Sequence, residues 1–245
     1  MTKPFRAVVV AAVAATAVLG LGGCTGITTT THTVTDDTTV EQRISAVRLE
    51  GDAGGVTVDG RPGTSGATVH RSIDSPNPPP PGPTHEVDGG TLVLHGCGQH
   101  CSVDYTVTVP PGLPVTGGTS SGAVELNDVG SVDVSTSSGG ITLRDVAGPT
   151  TVHTTNGAVR GTGINGDDTR VRTSNGEIDL TLATPQNVQG ETSNGEIGLT
   201  VPSGSYRVTT RTTNGDEQVD VPDDPSGTHR LDLTTSNGAI SVRHG

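Results

Sequence analysis

The chain has no tryptophan, one phenylalanine and two tyrosines in 245 residues. A broad globular core fills its width with large rings, so any interior here must be thin and built from Val, Ile and Leu. Positive charge is equally scarce, with 14 Lys and Arg against 26 Asp and Glu and a single lysine, Lys3. Non-specific nucleic-acid affinity comes from cations that displace counterions from phosphates, so nucleic acid is not expected as a partner. Helical periodicity is missing as well. Beyond the first 23 residues no segment repeats apolar residues at three- and four-residue spacing.

What the chain has instead is glycine, 36 residues and about twice the average share. It also has a short export-like head. Lys3 and Arg6 precede the apolar run Ala7 to Leu21, which is too short to span a bilayer comfortably and reads as a signal peptide. The run ends in Leu21-Gly22-Gly23-Cys24, a pattern similar to the lipobox of bacterial lipoproteins. That resemblance implies cleavage after residue 23 and acylation of Cys24, which would anchor the chain to the outer face of the cell membrane. An ordinary secretory signal with a chance cysteine is the alternative. Without the signal, 12 arginines face 26 acids, a net charge of −14.

Residues 24 to 42 follow as the lipidated cysteine and a Thr-rich segment, "TGITTTTHTVTDDTTVEQ" from residue 25. With almost nothing to bury, this segment is predicted to be a flexible tether spanning about 20 to 25 Å. Residues 43 to 245 are predicted to form one domain. Its first part, up to Val109, alternates in the manner of strands bounded by Gly, Pro or Asp, and "PNPPPPGP" at 76 to 83 reads as a stiff connection.

From Gly118 onward the chain repeats itself. The phrases are "TSSGAVEL" (119–126), "TSSGGITL" (136–143), "TTNGAVRG" (154–161), "TSNGEIDL" (173–180), "TSNGEIGL" (192–199), "TTNGDEQV" (212–219) and "TSNGAISV" (235–242). Their glycines fall at intervals of 17, 18, 19, 19, 20 and 23. Asn-Gly favours positive φ, so each phrase reads as a corner between strands.

A meander of hairpins could use such corners as type I′ turns. A parallel β-solenoid accounts for more, because stacked coils would file Asn156, Asn175, Asn194, Asn214 and Asn237, each followed by its glycine (Gly157, Gly176, Gly195, Gly215, Gly238), into an amide ladder. Val124, Ile141, Val159, Ile178, Ile197 and Ile240 would form a parallel file in the interior. The fold expected is therefore all-β, a single-domain parallel β-solenoid of about seven short coils preceded by an irregular β section. Glu177, Glu196 and Asp216 would then stack as like charges facing water or sharing calcium. Ala158 and Ala239 interrupt that file, and no metal site is assigned.

"LHGCGQHCSV" brings His95, Cys97, His100 and Cys101 within seven residues. These could be written as a zinc site. An exported domain favours a Cys97–Cys101 disulfide, a local staple contributing about 2 kcal/mol in the chain-entropy picture. Neither a nucleophile with an orienting base nor a paired-acid cleft emerges around His70, His153 or His229. Arg144, Arg160, Arg170, Arg172, Arg207 and Arg211 scatter along the repeat and do not suggest the basic groove of a polysaccharide-acting β-helix. No catalytic residue and no cofactor is expected.

The segments "VRLEGDAGGVTVDG" (47–60) and "CSVDYTVTVPPG" (101–112), with the serial (S/T)-(S/T)-(N/S)-G phrases, resemble a bacterial putative-adhesin family of unknown function built as a β-solenoid. The resemblance covers about residues 43 to 245. It implies an envelope-associated, non-enzymatic protein, and relatives linked to envelope stress imply a second, regulatory role through a membrane partner. The expected function is a lipid-anchored adhesion or interaction module whose partner is a protein or an envelope polymer.

Overall fold

A strand that alternates Val, Ile or Leu with Thr, Arg or Asp buries one face and wets the other, and a glycine corner after it turns the chain into the next strand. The computed structural model describes residues 31–78 and 82–245. The signal segment and Cys24 lie outside the described residues, as do residues 25–30 of the expected tether and 79–81 of the proline run. In chain order the strands begin with β1 (His32–Val40), β2 (Ala46–Ala53), β3 (Val56–Gly60), β4 (Ala67–Ser75), β5 (His85–Asp88), β6 (Thr91–His95) and β7 (Ser102–Val109). Seven pairs follow: β8 and β9 (Val115–Ser121, Val124–Asn127), β10 and β11 (Val132–Ser138, Ile141–Arg144), β12 and β13 (Thr150–Asn156, Val159–Ile164), β14 and β15 (Asp168–Asn175, Ile178–Leu182), β16 and β17 (Asn187–Asn194, Ile197–Val201), β18 and β19 (Tyr206–Asn214, Glu217–Val219), and β20 and β21 (His229–Asn237, Ile240–His244).

The fold is an all-β parallel solenoid. One 11-stranded sheet runs β1-β4-β7-β3-β9-β11-β13-β15-β17-β21-β19, and a facing 10-stranded sheet runs β18-β20-β16-β14-β12-β10-β8-β2-β6-β5. Each coil gives one strand to each sheet, and neighbouring coils pair in parallel and in register. Parallel pairing rules out the hairpin meander.

The expected interior file is present, with Val124, Ile141, Val159, Ile178, Ile197 and Ile240 at 0 to 1 % exposure. Val152, Val171, Val188 and Leu231 approach it from the opposite sheet. Burying each such side chain contributes about 1.5 to 3 kcal/mol.

Three features depart from the sequence reading. The irregular section before residue 115 contains more of the repeat than expected: β2 with β3, and β6 with β7, are two further coils, making nine, while β4 and β5 break the pattern by pairing antiparallel with β7 and β6. The corner of the first is "DAGGVTV", in which Gly54 occupies the place of the later corner glycines. The predicted tether is overturned across β1, which pairs antiparallel with β4 at nine positions from His32–Ser75 to Val40–Ala67. No residue of β1 is fully buried, so backbone pairing holds it, helped by Asp36, whose carboxylate accepts Arg71 Nε at 2.8 and 2.9 Å.

The third departure is the order of coils. The last coil, β20 and β21, inserts between β16/β17 and β18/β19, which leaves the penultimate coil at the end of the stack. The sequence supplies the reason. Ile240 continues the interior file beside Ile197, whereas the penultimate coil has Glu217 in that place, exposed and beside Ile240. A carboxylate is tolerated only at an open end. It is also used there: Glu217 accepts the Thr212 N–H at 3.1 Å, and Asp223 accepts the Val208 N–H at 2.9 Å. These carboxylates occupy outward backbone donors of β18 that would otherwise invite another strand. The insertion also places Ala239 between Glu196 and Asp216, so the acidic file is interrupted there and ends at Ala158 on its other side.

The corner phrase serves the stacking. Thr136, Thr154, Thr173, Thr192, Thr235 and Thr212 each donate a hydroxyl proton to the corner-glycine carbonyl of the adjacent coil at 2.9 to 3.2 Å. Gly122, Gly139, Gly215 and Gly238 have the positive φ expected of a corner, at 131, 152, 159 and 150°, whereas Gly157, Gly176 and Gly195 are not in that group, so at these three turn conformation is not what demands glycine. A Cβ on Gly176 would lie 2.0 Å from the Gly157 carbonyl oxygen. Glycine is required because the coils approach each other that closely.

Replacing Gly176 with Ala should force adjacent coils apart and cost about 3 kcal/mol. Asn175→Ala, which removes amide bonds on an exposed corner, should cost about 1 kcal/mol. Chemical denaturation of both variants checks this, and equal losses would show that close approach is not the governing constraint.

Candidate functional site

Side-chain alternation on the second sheet turns Val152, Val171, Val188 and Leu231 inward and leaves the residues between them on the outer face. In-register parallel pairing arranges these into straight rows. One row crosses the strands as His153, Arg172, Glu191, Thr234 and Arg211; the next as Thr151, Arg170, Gln189, Asp232 and Thr209. At the start of the strands Asp168 pairs with Asn187, and Arg230 with Arg207. The Asn187 side chain links the two pairs by accepting the Arg230 N–H at 2.9 Å.

Two shallow grooves run over these rows, one of about 260 Å³ along His153, Arg170, Arg172 and Glu191, the other of about 410 Å³ along Asn187, Arg230 and Asp232. Arg170 and Gln189 line both, so the grooves are continuous.

The arginines of this face are well exposed and carry short ion pairs. Arg170 meets Asp168 at 2.5 Å and Arg172 meets Glu191 at 2.6 Å. Asp232 serves two guanidinium groups, Arg230 at 2.6 Å and Arg211 at 3.7 Å. Arg207 donates Nε to the Pro225 carbonyl at 3.1 Å and makes no ion pair among the described residues. Exposed pairs of this kind contribute only about 0 to 1 kcal/mol each, so they leave the guanidinium groups open to exchange partners.

The sequence reading of scattered arginines is therefore corrected. Arg170, Arg172, Arg207 and Arg211, with Arg230, lie on one face, while Arg144 and Arg160 lie on the other sheet, paired with Glu125 and Glu177. The signal was positional. Each of the five, like His153, precedes the Thr of its corner phrase by an odd number of residues, which is the outward parity, whereas Arg144 and Arg160 follow the corner.

Other predicted positions are structural. The asparagine amides form a continuous ladder, Asn175 to Asn156, Asn194 to Asn175, Asn237 to Asn194 and Asn214 to Asn237, at 2.9 to 3.0 Å. Their hydrogen-bonding capacity is directed along the stack. Cys97 and Cys101 are joined by a disulfide with Cα atoms 5.7 Å apart. His95 turns instead to Glu50 and Glu86, at 3.2 and 3.4 Å. Among the described residues no three His, Cys, Asp or Glu side chains are grouped to hold a metal ion.

Comparison with known proteins places this arrangement among others. The family model Toastrack DUF4097 matches residues 103–244. A putative adhesin from Bacteroides fragilis is similar in structure with TM-score 0.48 at 14% identity, covering 90% of this chain and 100% of its own. A putative adhesin from Parabacteroides merdae gives TM-score 0.40 at 12% identity over 87% of this chain and 96% of its own. A putative cell adhesion protein from Clostridium sporogenes gives TM-score 0.38 at 10% identity over 87% and 100%. No curated protein matches the chain.

The titratable groups with displaced pKa values lie at the two ends of the stack, and one of them, Asp224, is near Arg207 of the arginine face. Burial raises the Tyr105 and Tyr206 hydroxyls, which donate to the Thr84 and Pro202 carbonyls at 2.7 and 2.9 Å. The Ser205 and Ser226 hydroxyls hold exposed Asp224 down to about 2. Burial, and then the Arg71 guanidinium, lower His85, while Asp36 opposes them. His85 Nδ1 is buried without a hydrogen-bond partner among the described residues.

The sign of the His85 effect follows from linkage. Its folded pKa lies below the unfolded value of 6.5, so stability is full above that pH and falls as pH drops toward the folded pKa, because the unfolded chain binds the proton first. Thermal melts between pH 7.5 and 5 should show this loss, at most about 1.4 kcal/mol per pH unit. His85→Gln should flatten the dependence, and an unchanged slope would assign it elsewhere.

Proposed function

The chain belongs to the Toastrack DUF4097 family, and on that premise we propose that it is a lipid-anchored, non-catalytic adhesion or interaction module on the outer face of the cell membrane. The observation that carries this reading is the flat outer face of the second sheet. It offers repeated rows of exposed arginine, amide and hydroxyl groups over shallow grooves, which suits contact with an extended partner. Turnover would call for a nucleophile aligned with a base in a sheltered cleft. Leading threonines of the corners have their hydroxyls engaged by glycine carbonyls of the adjacent coils.

The lipobox at Cys24 supports anchoring, because acyl chains contribute about 0.8 kcal/mol per buried methylene and more than one chain gives stable attachment. Anchoring through Cys24 would keep the module at the envelope.

A photo-reactive side chain at Thr151, used in intact cells, should trap an extracellular ligand or envelope polymer, and Cys24→Ala should move the protein out of the membrane fraction. Adducts formed only with an integral membrane protein would replace adhesion by signalling. Unchanged sedimentation of Cys24→Ala would remove the lipid anchor from the account.

A further inference from the structure

We propose that the arginine face of the second sheet binds an anionic glycopolymer, a chain of hydroxyl-rich units bearing carboxylate or phosphate groups. This inference rests on the reading of the protein as an interaction module and names the chemistry of its partner. The starting point is the separation of charge. The whole chain carries −12, yet the outer face of β14, β16, β20 and β18 carries five arginines against three acids, Asp168, Glu191 and Asp232.

The placement of those arginines is unfavourable for stability alone. Arg207 and Arg230 lie directly across adjacent strands, where like charges repel. Nothing in the face compensates them fully, because Asp232 is shared between Arg211 and Arg230, and Arg207, bonded to the Pro225 carbonyl, has only the Asp224 carboxylate nearby and makes no ion pair with it. An anionic group bound between Arg207 and Arg230 would relieve that repulsion, and a guanidinium fork accepts carboxylate and phosphate oxygens in pairs.

The remaining groups narrow the ligand. Thr151, Asn187 and Gln189 line the grooves and supply neutral donors and acceptors suited to hydroxyls. No Phe, Tyr or Trp lines the grooves, whose one ring is the imidazole of His153, so the face lacks the series of aromatic platforms on which single-stranded nucleic acid stacks its bases. A polymer with spaced charges also fits the regular grid, whose rows repeat about every 4.8 Å across strands and about 6.6 Å along them. Contacts that are individually weak can then recur along one chain.

The test uses the full-length protein in neutral-detergent micelles with three probes: poly(galacturonic acid), poly(glycerol phosphate) and uncharged dextran. At least one anionic polymer should bind, dextran should not, and affinity should fall as salt rises. Which polymer binds identifies carboxylate or phosphate as the recognised group. R170Q/R172Q and R207Q/R230Q should each weaken binding by about tenfold or more, whereas R144Q/R160Q on the opposite sheet should stay within about twofold. Unchanged melting of the variants confirms that the fold is intact.

Failure of both polymers to bind, equal loss in R144Q/R160Q, or equally tight binding of a single-stranded DNA oligonucleotide would each overturn the proposal. If intact envelopes capture wild type and R170Q/R172Q equally well, the interaction module stands and this ligand assignment falls.

Discussion

The whole architecture depends on how closely successive coils meet at the corner. There a threonine hydroxyl reaches the glycine carbonyl of the neighbouring coil, and that glycine has no room for a side chain. This contact fixes the lateral register of both sheets, so the Asn, Thr and Ile of every phrase fall into files. Differences in coil length are absorbed far from the corner, in connections such as residues 183–186, 202–205 and 220–228. Gln186 closes one of these, buried and bonded to Thr169 and the Ile164 carbonyl.

The thin interior follows from the same constraint and explains where the two aromatics went. Between the facing sheets only branched aliphatic chains fit, so a tyrosine ring is accommodated where the repeat ends. Tyr105 sits in β7 of the outermost coil at one end, and Tyr206 opens β18 at the other. Each end is also finished by polar groups. Asp36 and Arg71 clamp β1 at one, while Glu217 and Asp223 cover backbone donors of β18 at the other. With the ends occupied in this way, the broad outer faces are what the molecule presents to its surroundings.

Much of this was legible in the residues. The corner phrase, its spacing and the Val and Ile file gave a parallel solenoid, because a repeat that stacks must place like atoms above like atoms. The order of the coils was not legible from spacing, since every phrase fits every other equally well. It is decided by one exchange, Glu217 where the others have Val or Ile, which makes the penultimate coil unfit for the interior. Strand β1 was missed because burial patterns reveal strands through their apolar residues, and this one is held by its backbone. The arginine face was hidden because its members are far apart in sequence and share only their parity relative to the corner.

The order of stacking is the claim on which the corner files, the interrupted acids and the arginine face all rest. Paired cysteine substitutions on the outer face of the second sheet measure it directly. Glu191 and Thr234 are in-register neighbours, as are Thr234 and Arg211, so adjacent strands about 4.8 Å apart allow a disulfide. Glu191 and Arg211 are separated by β20, about twice that distance, beyond disulfide reach. Mild oxidation should therefore cross-link E191C/T234C and leave E191C/R211C reduced. Cross-linking of E191C/R211C in place of E191C/T234C would mean that the coils stack in chain order, contradicting the account.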